Sequence, residues 1–178
     1  MKISVLGAGT WGTALAILLS NNGHNVILWS KLQREIEALR ANRTKIPNLP
    51  GSVLPENIQL TYEIQEALNE PDIIVSAVAS PYTRETAHTV AQFVKPGQVI
   101  VNVGKGIEEA TLYTLTEIIS DEIPTADVAV LSGPSHAEEV SRLIPTTCVV
   151  GAKSLKTATM IQDAFMSESF RVYTSPDV

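Results

Sequence analysis

The stretch KISVLGAGTWGTALAILLSNNGHNVILW, residues 2–29, decides how the rest of the chain is read. It opens with a short β-branched run from Lys2 to Leu6 and passes through Gly7, Gly9 and Gly12. It then enters an apolar, alanine-rich segment from Trp11 to Asn21, and a second apolar run, Asn25 to Trp29, follows. A lone G-x-G-x-x-G is weak evidence, because glycine turns also arise for packing alone. Here the glycines directly follow a strand pattern and directly open a helix pattern, the context a dinucleotide fingerprint requires. In that reading Gly7 permits the tight turn, Gly9 lets the backbone approach a pyrophosphate, and Gly12 lets the helix lie close on the first strand. The free N–H groups and positive end of the helix then face the phosphates. For Trp11 two readings stay open: a core tryptophan, or an indole beside the coenzyme at the mouth of the turn.

The fingerprint usually continues with an acid about 20 residues on that holds the adenosine ribose. No Asp or Glu occurs before Glu35, and the second strand ends in Trp29-Ser30-Lys31 with Arg34 a turn later. A hydroxyl and two cations at Ser30, Lys31 and Arg34 suit a 2′-phosphate, which would favour NADP(H) or tolerate both NADP(H) and NAD(H). The alternative is that Lys31 and Arg34 only solvate a helix start.

Strand patterns recur down the chain as NIQLT (57–61), DIIVSAVA (72–79), QVIVNV (98–103), DVAVLS (127–132) and TTCVVG (146–151), with a last strand in FRVYTSPDV. Helix patterns lie between most of them, at Leu32 to Leu39, Glu63 to Asn69, Arg84 to Phe93, Thr111 to Ile119 and Leu155 to Phe165. This β-α alternation predicts an α/β, Rossmann-like doubly wound fold, with a mostly parallel sheet covered by helices on both faces. The stretch from Asn42 to Asn57 carries three prolines that disfavour a helix, and loops of that length tend to carry function or mobility. The chain closes on Ser-Pro-Asp-Val with no finishing element and reads as cut, so residues 1–178 are expected to be one coenzyme-binding domain of something longer.

With 178 residues and 44% hydrophobic content, the chain can bury a substantial core. Thirteen Lys and Arg against 19 Asp and Glu leave a formal net charge of -6 with no basic run, which argues against a nucleic-acid partner. Cys148 is the single cysteine, so an intrachain disulfide and CxxC metal spacing are excluded and a cytoplasmic setting is the default. The opening apolar run is too short for membrane insertion and lacks a signal peptide's layout. Three scattered histidines, His24, His88 and His136, suggest no metal site.

Three further turns fall at the expected carboxyl edge of the sheet, where open α/β sheets bind ligands. In Gly104-Lys105-Gly106 a lysine stands between glycines, able to donate to a phosphate, hydroxyl or ketone oxygen; an exposed turn lysine is the plain alternative. In GPSHAEEV, residues 133–140, Ser135 and Glu138 fit a capping box at a helix start, and His136 could titrate near neutrality. Ser80-Pro81 breaks the fourth strand where a loop would cross the nicotinamide half of a coenzyme. Cys148 is expected to be a buried small hydrophobe.

Taken together, GAGTWGTALA, NLPGSVLPENI, VNVGKGIE, LSGPSHAEEV, PTTCVV and FRVYTSPD resemble the NAD(P)-dependent glycerol-3-phosphate dehydrogenases, the bacterial type in particular, in order along essentially the whole chain. The resemblance implies hydride transfer between a nicotinamide coenzyme and dihydroxyacetone phosphate, giving sn-glycerol 3-phosphate for phospholipid synthesis. It implies Thr10 and Trp11 on the coenzyme diphosphate and Lys31 near the adenosine ribose. Lys105 would touch coenzyme and substrate, Gly133 and Ser135 the substrate, and Ala137 the coenzyme. Ala77-Val78-Ala79-Ser80 departs from the family's Ala-Val-Pro-Ser, and His136 stands where an aromatic is common. The family's proton-transfer lysine belongs to a helical domain beyond Val178, so Lys105 only assists and this chain alone is expected to bind coenzyme with little or no turnover. A homodimer is among the expected assemblies. Two rival readings stay open: another two-domain dehydrogenase such as a ketopantoate reductase or a 6-phosphogluconate-type enzyme, and a non-catalytic dinucleotide-binding module.

Overall fold

In the central strands alternate residues bury on opposite faces of one sheet, and this sorts the core into two layers, whereas the last two strands bury one face and expose Val149 and Tyr173 on the other. Ile3 and Val5, Val26 and Leu28, Ile73 and Val75 belong to one layer. Leu6, Ile27, Trp29, Ile74 and Ile100 belong to the other. Apolar residues on both faces are what a strand covered by helices on both sides requires. The computed structural model describes residues 1–43, 46 and 49–178. Thr44, Lys45, Pro47 and Asn48, within the proline-bearing stretch 42–57, lie outside the described residues.

The elements in chain order are β1 (Lys2–Leu6), α1 (Thr10–Asn21), β2 (Asn25–Trp29), α2 (Gln33–Ala41), β3 (Gln59–Thr61), α3 (Ile64–Ala67) and β4 (Ile73–Ser76). After a 3₁₀ turn at Ser80–Tyr82 come α4 (Thr83–Ala91), β5 (Val99–Asn102), α5 (Leu115–Glu122), β6 (Asp127–Ser132), α6 (Ala137–Ser141), β7 (Thr146–Ala152), α7 (Leu155–Phe165) and β8 (Phe170–Ser175). The eight strands form one sheet in the order β3-β2-β1-β4-β5-β6-β7-β8. Every neighbouring pair is parallel except β6 and β7. The first six strands have the doubly wound order, in which the chain winds outward from β1 to β3 and then returns to place β4 on β1's other side. That reversal opens a crevice above the carboxyl ends of β1 and β4.

Helix α1 is buried along the whole run from Gly12 to Ser20, because it is wedged between the sheet and α6 and α7. Its lack of a polar stripe, visible in TALAILL, follows from that position. On the opposite face Ser4 is fully buried, and its hydroxyl donates to the carbonyl of Ala67 in α3, which satisfies a polar group inside the layer.

Two helix starts differ clearly from expectation, and the strand expected over residues 72–79 ends at Ser76. The helix expected from Thr111 begins at Leu115, because Ile107 and Thr114 form an antiparallel bridge and Thr114 builds a reciprocal cap. Its hydroxyl accepts from the Glu117 N–H at 3.3 Å while the Glu117 carboxylate accepts from the Thr114 N–H at 2.7 Å. The box expected from Ser135 and Glu138 does not form. The extended His136 is the N-cap of α6, and the Ser135 N–H is turned back onto the Gly133 carbonyl at 2.9 Å.

Candidate functional site

Five strand-to-helix turns converge over the crevice and line a cleft of about 670 Å³. The turn after β1 supplies Gly7 to Trp11, and the turn after β2 supplies Ser30, Lys31, Leu32 and Glu35. Ala77 to Ser80 come from the end of β4, Val103 to Lys105 from β5, and Ser135 to Ala137 from β6. All of them sit at the carboxyl edge, because each strand of the parallel set hands the chain to its helix there.

The three glycines of the first turn meet three different demands. Gly7 holds a positive φ of 113°, and a Cβ on it would stand 2.7 Å from the Ala77 carbonyl oxygen, so only glycine lets the ends of β1 and β4 touch. Gly12 brings α1 against that turn, since its Cβ would fall 1.9 Å from the Gly7 carbonyl oxygen. Gly9 is different. Its backbone is ordinary, with φ -69° and ψ -178°, and a Cβ there would meet nothing within 4 Å. The space beside Gly9 is cleft.

Gly9 is also the N-cap of α1, contributes no capping side chain, and is followed by no acid in the first turn. The positive end of a buried twelve-residue helix is therefore left uncompensated where it faces the cleft, an arrangement suited to a diphosphate. The residues present fit a dinucleotide on this ground alone.

Trp11 stands between core and cleft. Its half-buried ring packs on the core layer of β1 while also lining the cleft, and its indole N–H donates to the Val103 carbonyl at 2.9 Å. That bond ties the start of α1 to the end of β5, just before Lys105. The lysine loop is fastened again by Asn102, a buried side chain that accepts from the Gly104 N–H and donates to the Gly104 carbonyl. Gly106, at φ 134°, lies so close to Ser80 that a Cβ would stand 2.9 Å from the serine Cβ. Held this way, Lys105 reaches across to the Gly133 carbonyl at 3.2 Å.

The structure thus brings Gly7, Gly9, Thr10, Trp11, Ser30, Lys31, Lys105, Ser135 and Ala137 to one cleft. Gly12 lies beneath it in the core, and Gly133 borders it through its carbonyl. Arg34 is exposed and, among the described residues, is not part of the lining. Glu35 was passed over in the sequence and does line the cleft: Ser30 Oγ donates to its Oε2 at 2.6 Å. Its position in the first turn of α2, five residues after Ser30, was the available signal. His136 is exposed on the lining, whereas Cys148 is buried, and burial pushes its thiol up.

A family model for the N-terminus of NAD-dependent glycerol-3-phosphate dehydrogenase matches residues 2–158. The chain belongs to that family. A glycerol-3-phosphate dehydrogenase [NAD(P)+] of Agathobacter rectalis is 55% identical over 177 residues, covering 99% of this chain and 53% of the relative. One from Fusobacterium nucleatum is 51% identical over 180 residues, covering the whole chain and 54% of the relative. The crystal structure of a Coxiella burnetii glycerol-3-phosphate dehydrogenase superposes with a TM-score of 0.90 at 28% identity, over 99% of this chain and 54% of that one. The chain spans about half the length of the curated glycerol-3-phosphate dehydrogenases it matches. Among the described residues, no helix is long and apolar enough to cross a membrane.

Proposed function

We propose that residues 1–178 are a coenzyme-binding domain serving an oxidoreductase that moves a hydride between NAD(P)H and dihydroxyacetone phosphate, yielding sn-glycerol 3-phosphate for phospholipid synthesis. The observation that carries this reading is the uncapped start of α1 over the open side of Gly9, with Lys105 converging on the same cleft from β5. Backbone N–H groups at Thr10 and Trp11 would hold the diphosphate, with Ala137 against the coenzyme across the cleft. The coenzyme, when bound, supplies the hydride. Lys105, braced on the Gly133 carbonyl, presents a positive charge that would orient the substrate phosphate or carbonyl oxygen, and the Ser135 hydroxyl would donate to the substrate. The proton donor to the carbonyl is assigned to a lysine of a further helical domain, so these residues alone bind coenzyme with little or no turnover. A cytoplasmic location goes with this function: the lone thiol is buried, and the acidic net charge offers nothing to nucleic acid.

The test is a fluorescence titration of the chain with NADH and NADPH, followed by an assay of NADH oxidation with dihydroxyacetone phosphate. Saturable binding with negligible oxidation is expected. Failure to bind either coenzyme would overturn the coenzyme-site reading, and brisk turnover would overturn the assignment of the proton donor to another domain.

A further inference from the structure

The end of β2 is where a doubly wound fold meets the adenosine ribose, and an acid at that strand end would select the unphosphorylated 2′-hydroxyl. Here the strand ends without one, yet a carboxylate stands there. Ser30, buried at the tip of β2, accepts the Leu32 N–H at 3.1 Å and donates its own proton to Glu35 Oε2 at 2.6 Å. The bond from Ser30 holds the Glu35 carboxylate, in the first turn of α2, at the strand end, where it lines the cleft. Among the described residues Glu35 Oε1 takes no hydrogen bond, so half of the carboxylate is left for a donor from the cleft. The helix start supports its negative charge.

Of the two cations that could answer a 2′-phosphate, one lines the cleft but is already engaged and the other lies outside the lining. Lys31 Nζ pairs with Glu85 of α4 at the cleft's mouth, and Arg34 is exposed outside the lining. A phosphate beside Glu35 would set two anions together in a partly enclosed cleft, whereas a ribose diol would donate to the free oxygen.

Resting on the coenzyme-site reading above, we propose that Glu35 reads the adenosine ribose and makes this chain prefer NAD(H) over NADP(H), with Ser30 as its positioning residue. The test is to titrate the wild-type chain, Glu35→Gln and Glu35→Ala with NADH and NADPH, with thermal melts alongside. Wild type is expected to bind NADH roughly tenfold or more tighter than NADPH, about the effect of one such charge contact. Glu35→Gln keeps the acceptor for Ser30 and removes only the charge, so it should melt like wild type and bring the NADH/NADPH ratio close to one. Glu35→Ala should move the ratio the same way. Tighter NADPH binding by wild type, or a ratio unmoved in both variants, would overturn the proposal while leaving the coenzyme site standing. Binding of neither coenzyme by wild type would overturn both.

Discussion

The Arg84 guanidinium meets the Glu108 carboxylate through two parallel bonds, Nε to Oε1 at 2.7 Å and Nη2 to Oε2 at 2.8 Å. The same guanidinium also holds Asp121 and Glu122 of α5, at 2.7 and 2.8 Å. Arg84 therefore staples α4 to α5 and to the loop that leaves Lys105. The hydrogen bonds from Arg84, helped by the Thr111 hydroxyl, draw Glu108 down to about 2 from an ordinary value near 4.5.

A folded value below the unfolded one means that this pairing stabilises the fold in full above pH 4.5, and that its contribution drains away as the pH falls toward 2. Arg84→Met should lower the urea midpoint at pH 6 and lose most of that deficit against wild type by pH 2.5. Urea titrations at both pH values check this, and a deficit that stays constant with pH would contradict it.

Gly9→Ala and Gly12→Ala should separate binding from folding. At Gly9 the new methyl enters open cleft on an ordinary backbone, so stability should move by no more than about 0.5 kcal/mol while NADH affinity falls about tenfold or more. At Gly12 it would strike the Gly7 carbonyl, and the fold should lose at least about 2 kcal/mol. Thermal melts read beside coenzyme titrations distinguish the two.

The chain has two tryptophans, and they lie in different places. Trp29 is buried and donates to the Tyr62 carbonyl at 3.0 Å, away from the cleft lining. Quenching of fluorescence by oxidised coenzyme should therefore survive Trp29→Phe and largely vanish in Trp11→Phe. The latter also deletes the bond to Val103 and should cost about 1 kcal/mol.

Gly106→Ala tests the seating of Lys105. It combines a left-handed backbone with a contact inside 3 Å at Ser80, so the loop must shift. The expected result is a loss of about 1–2 kcal/mol together with weaker binding of NADH, measured by calorimetry. A fully stable variant with unchanged affinity would show that the loop's position is unimportant.

The doubly wound sheet was legible because period-two burial and β-branched runs such as IIVS and VIVN repeat between helical stretches. The glycine turn was legible for the same reason: its spacing states where a Cβ cannot go. The strand expected to continue through Ala79 stops at Ser76, because Ala77 to Ser80 leave the sheet to border the cleft. Small apolar residues suit a strand and a cleft wall equally, so their letters could not decide. Thr114 and Glu117 form the cap that Ser135 and Glu138 only spell, since the outcome depends on how the preceding chain arrives. Glu35 was legible only as an acid in the first turn of α2, five residues after Ser30; its place at the strand end depends on the Ser30 hydroxyl. The reversed direction of β7 was invisible, as an apolar strand reads the same in either orientation.

The central position of β1 sets a timetable for the newborn chain. Its partner on one side, β2, is finished by Trp29, but the partner on the other side, β4, is complete only at Ser76. The cleft draws its walls from Gly7 through Ala137, and at about 5–20 residues per second the ribosome needs on the order of ten seconds to cover that span. Throughout the earlier part of that interval, one flank of a largely apolar strand stands open to mispairing. Any coenzyme that steadies the finished domain arrives too late to guide the step at which β4 must find β1.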